Sequence, residues 1–512
     1  MSTDLVTLTI DGIGVTVPKG TPMIEAAKMA GVLVPHYCYH PSLPSPAVCR
    51  MCLVEVEKMP KLVPSCVTPV ADGQVIHVHS PAAKKAREGV LEFLLINHPL
   101  DCPICDQAGE CELQDFVFQE GRAGTRYADY PKRYNPVEDF GPDILYVANR
   151  CILCTRCVRF MDHVAEEPIL AVSERGDRAF ISIDPDQLLT HEWSGNVVDL
   201  CPVGSLVSKD FLHKARAWDL DKTASVCTGC TQGCNVMLDT RDDVVVRIRP
   251  RANLEVNRHF ICDTGRADYR WMNRGDRVEV PMGRDGALAW DDALATFAAE
   301  VEHAASIVVL TGGRASVEAL GWLRELVGPA ATAAMQVPMG DERPLAGVRN
   351  LALRRERAAN LHGAELLGMA GDWDAAVAAA HGADLVIVVD VDLSDAEAAR
   401  VASAGTVVHL ATVADPRLGA ALVLPVTNVA EEQGVFVNRD GRAQRYLPAR
   451  APRGEAWPAW RVAAEAWRRG ADDREAPATA SEAFSRLAAF GGLTHRDLGF
   501  TGRVVAGAEV RA

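Results

Sequence analysis

Fifteen cysteines, all between Cys38 and Cys262 of a 512-residue chain, constrain this polypeptide more than any other feature. They fall into groups with short internal gaps, and the last 250 residues hold none. An odd count, in a chain with no secretory-type apolar block after Met1, disfavours a disulfide framework and points to metal binding. The formal charge of −15 argues against nucleic acid as a main partner. The longest apolar runs, such as Leu385 to Val389, fall far short of the ~20 residues that cross a bilayer. A cytoplasmic, soluble chain of about three domains is the expectation, on a prior of ~150 residues each.

Residues 5–17 predict a hairpin: Leu5, Thr7 and Thr9 alternate with Val6, Leu8 and Ile10, and Asp11-Gly12 supplies the turn. Thr21 is placed to cap a helix that has Pro22 at its first position and Gly31 at its end. Strand-like Cys52–Glu57 and Val75–His79 complete a small mixed domain of β-grasp ferredoxin type. Residues 84–97 pattern as an amphipathic helix ending before His98-Pro99, and 121–143 read as irregular connection. Beyond about residue 285 the pattern alternates: helix-like 290–304, strand-like Ser306–Leu310, helix-like 316–327 and strand-like Leu385–Asp390. That alternation predicts a doubly wound α/β domain. Thr311-Gly312-Gly313, between a strand and a helix, fits either a phosphate cradle or a tight structural turn, and the turn is the preferred reading.

The first cysteine group is Cys38, Cys49, Cys52 and Cys66. One Cys-x-x-Cys knuckle with two isolated cysteines resembles plant-type 2Fe–2S ferredoxins, although their first gap is four residues and here it is ten. Zinc is the alternative. The second group has only Cys102, Cys105 and Cys111, and a four-iron cube needs four ligands. His98, four residues upstream, is the candidate fourth, because imidazole also ligates cluster iron in Rieske centres. Asp101, Asp106 or water compete for that role.

The third group is Cys151, Cys154, Cys157 and the distant Cys201, which is followed by Pro202. Two-cluster ferredoxins repeat the pattern C-x2-C-x2-C-x3-C-P, each last cysteine serving the other cluster. Projected here, the partner cluster's ligands fall on Met161, His191, Ser194 and Val197, none of them cysteine. One complete 4Fe–4S ligand set survives, which fits descent from an ancestor that held two. The fourth group, Cys227, Cys230, Cys234 and Cys262, resembles the 4Fe–4S domain that opens molybdopterin oxidoreductases, with zinc again the alternative. All fifteen cysteines are then used. Arg50, Arg150, Arg156 and Arg159 flank the first and third groups, either raising cluster potentials or simply solvated as exposed charge.

The order of these groups is similar to that of the large, 75-kDa-type iron–sulfur subunit of bacterial NADH–quinone oxidoreductase (complex I). The stretches HPLDCPICDQAGECELQD from His98, RCILCTRCVRF from Arg150 and NVVDLCPVGSLVSKDF from Asn196 carry the resemblance. It implies an α+β half with 2Fe–2S β-grasp (1–80), His/Cys 4Fe–4S (81–120), ferredoxin-like 4Fe–4S (121–220) and molybdopterin-type 4Fe–4S (221–280) domains. An α/β molybdopterin-oxidoreductase-like scaffold (281–512) follows, suggested by Glu432-Gln-Gly-Val-Phe-Val-Asn-Arg-Asp-Gly-Arg442. The resemblance further implies one 2Fe–2S and three 4Fe–4S clusters, with no molybdenum and no substrate site. Its expected partners are an NADH-oxidising flavin subunit and quinone-side cluster subunits, at the cytoplasmic side of the inner membrane. The first three clusters would form the electron path, with the fourth off it. A formate dehydrogenase of molybdenum type is the runner-up; an iron hydrogenase would need further cysteines, and a zinc-stapled interaction protein would not explain the ferredoxin projection.

Overall fold

The structure is a computed structural model that describes residues 4–129 and 137–505. It divides into two compact units: Met1–Asp219 with Leu345–Arg349, and Leu220–Pro344 with Asn350–Ala512.

In the first unit, β1 (Leu5–Ile10) and β2 (Ile13–Pro18) pair antiparallel about Asp11 and Gly12, both at positive φ as a tight hairpin turn requires. In α1 (Met23–Met29), Pro22 is the cap and not the first helical residue. Thr21 does not cap the helix; its Oγ1 donates to Pro18 O at 2.7 Å. Strands β3 (Leu53–Val56), β4 (Val63–Pro64) and β5 (Val75–His77) complete a five-stranded sheet in the order β2-β1-β5-β3-β4. Leu8, Ile10, Val17, Ile24, Val54 and Ile76 form its core.

Helix α2 (Pro81–Asn97) starts three residues earlier than the apolar pattern suggests, because Ser80 caps it by accepting from Ala83 N. It stops at His98. The fully buried Arg87 on α2 donates to Val78 O and to Glu120, the last residue of α3 (Glu112–Glu120), so one guanidinium fastens both helices to the sheet domain. β6 (Val137–Asp139) lies inside the stretch expected to be irregular, where it pairs with β7 (Ile144–Val147); residues 130–136 of that stretch lie outside the described residues. Then come α4 (Arg156–His163), β8 (Leu170–Ser173), β9 (Phe180–Ile183), α5 (Asn196–Leu200) and β10 (Leu206–Ser208), the last pairing with β7.

The second unit opens with an antiparallel sheet of β11 (Asp221–Val226), β12 (Asn235–Arg241) and β13 (Val244–Pro250), followed by α6 (Asp263–Ala267). Its larger part is a seven-stranded sheet. β14 (Met282–Gly283) and β15 (Gly286–Ala287) make an antiparallel edge, then α7 (Trp290–His303), β16 (Ile307–Thr311), α8 (Val317–Val327) and β17 (Thr332–Met335) follow. Short β18 (Arg343–Pro344) and β19 (Ala352–Leu353) lead to α9 (Leu361–Leu366), α10 (Trp373–Ala380), β20 (Leu385–Val389), α11 (Asp395–Val401), β21 (Thr406–Ala411) and β22 (Leu422–Pro425). Strands β17-β16-β20-β21-β22 run parallel in that order. Val309, Ile387 and Leu410 face one core, while Val308, Val388 and Val407 face another, so both faces are covered as a parallel sheet demands.

At Thr311-Gly312-Gly313 the space for side chains is already taken. A Cβ on Gly312 would stand 2.1 Å from Asp390 O, and one on Gly313 2.5 Å from Ala358 Cβ. This is a close-packed structural turn.

Candidate metal centres

Each cysteine group is gathered by a different local device. Cys38, Cys49 and Cys52 lie on the long loop between α1 and β3, and Cys66 follows β4. Ser65 N and Oγ both bond Cys52 O, at 3.1 and 2.8 Å, which ties Cys66 to the knuckle. Ala47 and Arg50 take positive φ, turning the loop back on itself at a cost of about 1 kcal/mol each. The side chains interact: a hydrogen bond to Cys38, then burial, raises the Cys49 thiol, and one from Cys66 lowers Cys52.

His98, Cys102, Cys105 and Cys111 line one cavity of about 240 Å³, with Leu95, Val117 and Phe118. His98 caps the end of α2 and Cys111 the start of α3, where the helix dipole favours a thiolate. Burial pushes the Cys111 thiol up to about 11. The rival carboxylates are engaged elsewhere: Asp101 with Arg150 Nε at 2.9 Å, and buried Asp106 with His213 N at 3.1 Å. Arg216 Nη1 donates to Cys105 O at 2.8 Å, a clamp with no local sequence signal.

Cys151, Cys154, Cys157 and Cys201 line a tight cavity of about 20 Å³, with Tyr146, Pro202 and Leu206. Leu153 and Thr155 take positive φ, which wraps the Cys151–Cys157 loop inward and brings Leu153 N to 3.4 Å from Cys151 Sγ. Burial raises the Cys154 and Cys157 thiols and pushes Cys201 up to about 11. The projected positions of the lost second set are packed instead: Met161 and Val197 are fully buried, and Ser194 Oγ bonds His191 O. Helices α4 and α5, which carry Met161 and Val197, pack directly together.

In the second unit, Cys227, Cys230, Cys234 and Cys262 are all buried; after burial itself, Cys230 raises the Cys227 thiol, Cys227 and Cys230 raise Cys234, and those three raise Cys262. Gly229 N reaches Cys227 Sγ at 3.4 Å, and Gly265 N reaches Cys262 Sγ at 3.3 Å from the first turn of α6. The Glu432–Arg442 motif is a hairpin of β23 (Gly434–Val437) and β24 (Arg442–Tyr446) that grips this loop. Asn438 Nδ2 donates to Gln232 O, Arg439 N to Thr231 O and Gln444 Nε2 to Gly233 O. Arg314, Arg354 and Arg357 face Cys227 and Cys230, an arginine collar that sequence spacing did not reveal.

The arginines singled out by spacing divide. Arg50 is exposed; Arg150, Arg156 and Arg159 are buried. Arg150 lines the second cavity and not the third, a correction that follows from its bond to Asp101.

The second cavity, at about 240 Å³, has room for a group larger than one ion. Among the described residues, no three His, Cys, Asp or Glu side chains surround a point where a single metal ion would sit. Two backbones are shaped to the sulfurs. A Cβ on Gly204 would stand 2.2 Å from Cys105 Sγ, and one on Gly265 3.0 and 3.3 Å from Cys227 and Cys262 Sγ. Thiolates from buried, mutually facing cysteines are the donors that iron–sulfur clusters take. The first three sets also share one packed core: Cys38, Cys111 and Cys154 join Tyr37, Met51, Leu91, Phe116 and Val203.

Four family models match in chain order. They are a 2Fe–2S iron–sulfur cluster binding domain over 3–81 and the NADH-ubiquinone oxidoreductase-G iron–sulfur binding region over 87–126. The ferredoxin-like domain of NADH-quinone oxidoreductase subunit 3 follows over 141–207, and the molybdopterin oxidoreductase Fe4S4 domain over 220–274. The chain is 42% identical over 330 residues to the NADH-ubiquinone oxidoreductase 75 kDa subunit of Reclinomonas americana, covering 63% of this chain and 48% of that protein. It is 44% identical over 332 residues to the mitochondrial NADH dehydrogenase [ubiquinone] iron–sulfur protein 1 of Solanum tuberosum, covering 63% and 45%. A subunit of NADH-quinone oxidoreductase from Rickettsia felis is 42% identical over 329 residues, covering 63% and 49%. The chain therefore spans about half the length of the curated relatives it matches. A chain of a crystal structure of NAD+-reducing [NiFe]-hydrogenase in the H2-reduced state is 27% identical, with TM-score 0.37, covering 41% of this chain and 90% of that one.

Proposed function

We propose that this chain, which over its iron–sulfur half belongs to the 75-kDa iron–sulfur subunit family of NADH–quinone oxidoreductase, is the electron-relaying subunit of such a complex. It carries 2Fe–2S and 4Fe–4S cluster domains. The ligand sets are Cys38, Cys49, Cys52 and Cys66 for a 2Fe–2S cluster, and His98, Cys102, Cys105 and Cys111 for the first 4Fe–4S cluster. Cys151, Cys154, Cys157 and Cys201 hold the second, and Cys227, Cys230, Cys234 and Cys262 the third. Bound clusters would supply reversible one-electron chemistry at potentials set by their ligands and surroundings.

The observation that carries the reading is the single apolar core through which ligands of the first three sets pack. It fixes ligands of those sets against one another, as a relay needs. Around the second set the surface is open and apolar: Cys102, Leu100, Ile104 and Phe118 are all exposed. That face suits a neighbouring redox subunit on the quinone side, with an NADH- and FMN-binding subunit on the input side. Among the described residues no helix is long and apolar enough to cross a membrane. A peripheral position on the cytoplasmic side of the inner membrane is part of the proposal, and it rests on the likeness to NADH-quinone oxidoreductase subunits. The fourth set belongs to the other compact unit and serves as a side branch on a scaffold without molybdenum.

Metal and sulfide analysis of anaerobically purified chain tests this. About 14 irons, from one two-iron and three four-iron clusters, should be found with matching acid-labile sulfide. Stoichiometric zinc in place of a cluster, or molybdenum with formate-dependent reduction, would refute it.

A further inference from the structure

Arg159 is a buried cation that pairs with no carboxylate among the described residues. It projects from α4 and is 8% exposed. Its donors all meet neutral oxygens: Nη2 reaches Cys38 O at 2.5 Å and Cys154 O at 3.2 Å, Nη1 reaches Pro44 O at 2.5 Å, and Nε reaches Thr155 Oγ1 at 3.2 Å. One nitrogen thus spans the main chain of a ligand from the first set and a ligand from the third. Arg156, one turn away, is different. It forms a two-pronged ion pair with Glu112, at 3.0 and 3.2 Å, and also bonds Tyr39 O and Leu200 O.

Burying an unpaired guanidinium forfeits several kcal/mol of hydration, which carbonyl dipoles offset only in part. The nearby positive charge of Arg156 adds repulsion. Among the described residues, the acidic groups that act on Arg159 are cysteine sulfurs: Cys154 and Cys157 of the third set and Cys38 of the first. An arrangement so costly in the metal-free chain makes physical sense when both sites hold net anions. A cation fixed between two anionic sites favours adding an electron to either, and so raises both potentials.

We propose that Arg159 is a positioning residue shared by the first and third cluster sites, serving as their common counter-cation and holding both reduction potentials up. The proposal rests on the cluster reading above, so the test must separate the two.

Spectroscopically monitored redox titration of anaerobically purified wild type, Arg159→Gln and Arg159→Lys does so. In Arg159→Gln the potentials of the first and third clusters should both fall while those of the second and fourth stay put. Arg159→Lys, which keeps the charge, should recover most of the loss at both sites. If Arg159→Gln loads less iron, the deficit should be confined to the first and third clusters. Unchanged potentials, a fall at one of the two sites only, a deficit spread over all four sites, or Lys behaving like Gln would overturn the role of Arg159. Wild-type chain without two-iron and four-iron signals would instead overturn the cluster reading, and this proposal with it.

Discussion

Gly204 offers a steric test of where the second cluster sits. Its α-carbon faces Cys105 so closely that an added Cβ would lie 2.2 Å from the sulfur and 3.1 Å from Gln107 Cβ. Non-bonded contact needs about 3.5–4.0 Å, so sulfur and backbone must separate by roughly 1.3–1.8 Å. Metal-site distances tolerate only about 0.2 Å. Cys105 cannot yield easily, because Arg216 holds its carbonyl and its loop closes through Ala108 N to Cys105 O. Gly204 is equally confined, with Arg150 Nη1 on its carbonyl at 3.4 Å. Gly204→Ala should therefore lose one four-iron cluster, about 4 irons of about 14. The fold itself should lose only about 1–3 kcal/mol, the usual cost of overpacking. At Gly265 the same substitution meets Cys227 and Cys262 Sγ at 3.0 and 3.3 Å, a deficit of roughly 0.2–1.0 Å. Gly265→Ala should keep its cluster with a perturbed spectrum. Iron and sulfide content with low-temperature electron paramagnetic resonance would distinguish the two. A Gly204→Ala chain with full iron and an unchanged second-cluster signal would refute the reasoning.

Three further outcomes are expected. His98→Ala should abolish or strongly alter one 4Fe–4S signal, and His98→Cys should keep a cube at lower potential, since thiolate donates more negative charge than imidazole; an unchanged alanine spectrum would return His98 to a helix-end role. Cys201→Ser should block NADH-to-quinone turnover per assembled, flavin-containing complex, while Cys234→Ser should spare most of it but weaken assembly. Equal loss in both would place the fourth cluster on the path. Glu432 is partly buried, and desolvation raises its carboxyl from 4.5 to about 8 even though Thr427 and Tyr446 donate to it. A raised pKa contributes stability that is complete below about 4.5 and lost as pH rises through about 8, at most roughly 3–5 kcal/mol. Glu432→Gln should flatten the pH dependence of the second unit's thermal midpoint between those values, and an unchanged slope would contradict this.

The four cysteine groups and the order of the cluster domains were legible in the linear chain because cluster sites use cysteines and short gaps, and such spacing survives without knowledge of packing. The missing cysteines at Met161, His191, Ser194 and Val197 were equally legible, as was the alternation that makes the C-terminal sheet. Other features depended on contacts between residues far apart in sequence. Arg150 serves the second set through Asp101, 49 positions away. Arg159 reaches Cys38, 121 positions away, and Gln444 on β24 closes on Gly233 from 211 positions away. A guanidinium's role depends on which oxygens and anions fold around it, and its sequence neighbours carry little of that information. Gly204 and Gly265 likewise look like ordinary loop glycines until the sulfurs beside them are placed. The grouping of the cysteines was therefore written in local spacing, whereas burial, counter-charge and close approach were decided by tertiary packing, because those energies depend on distance in space.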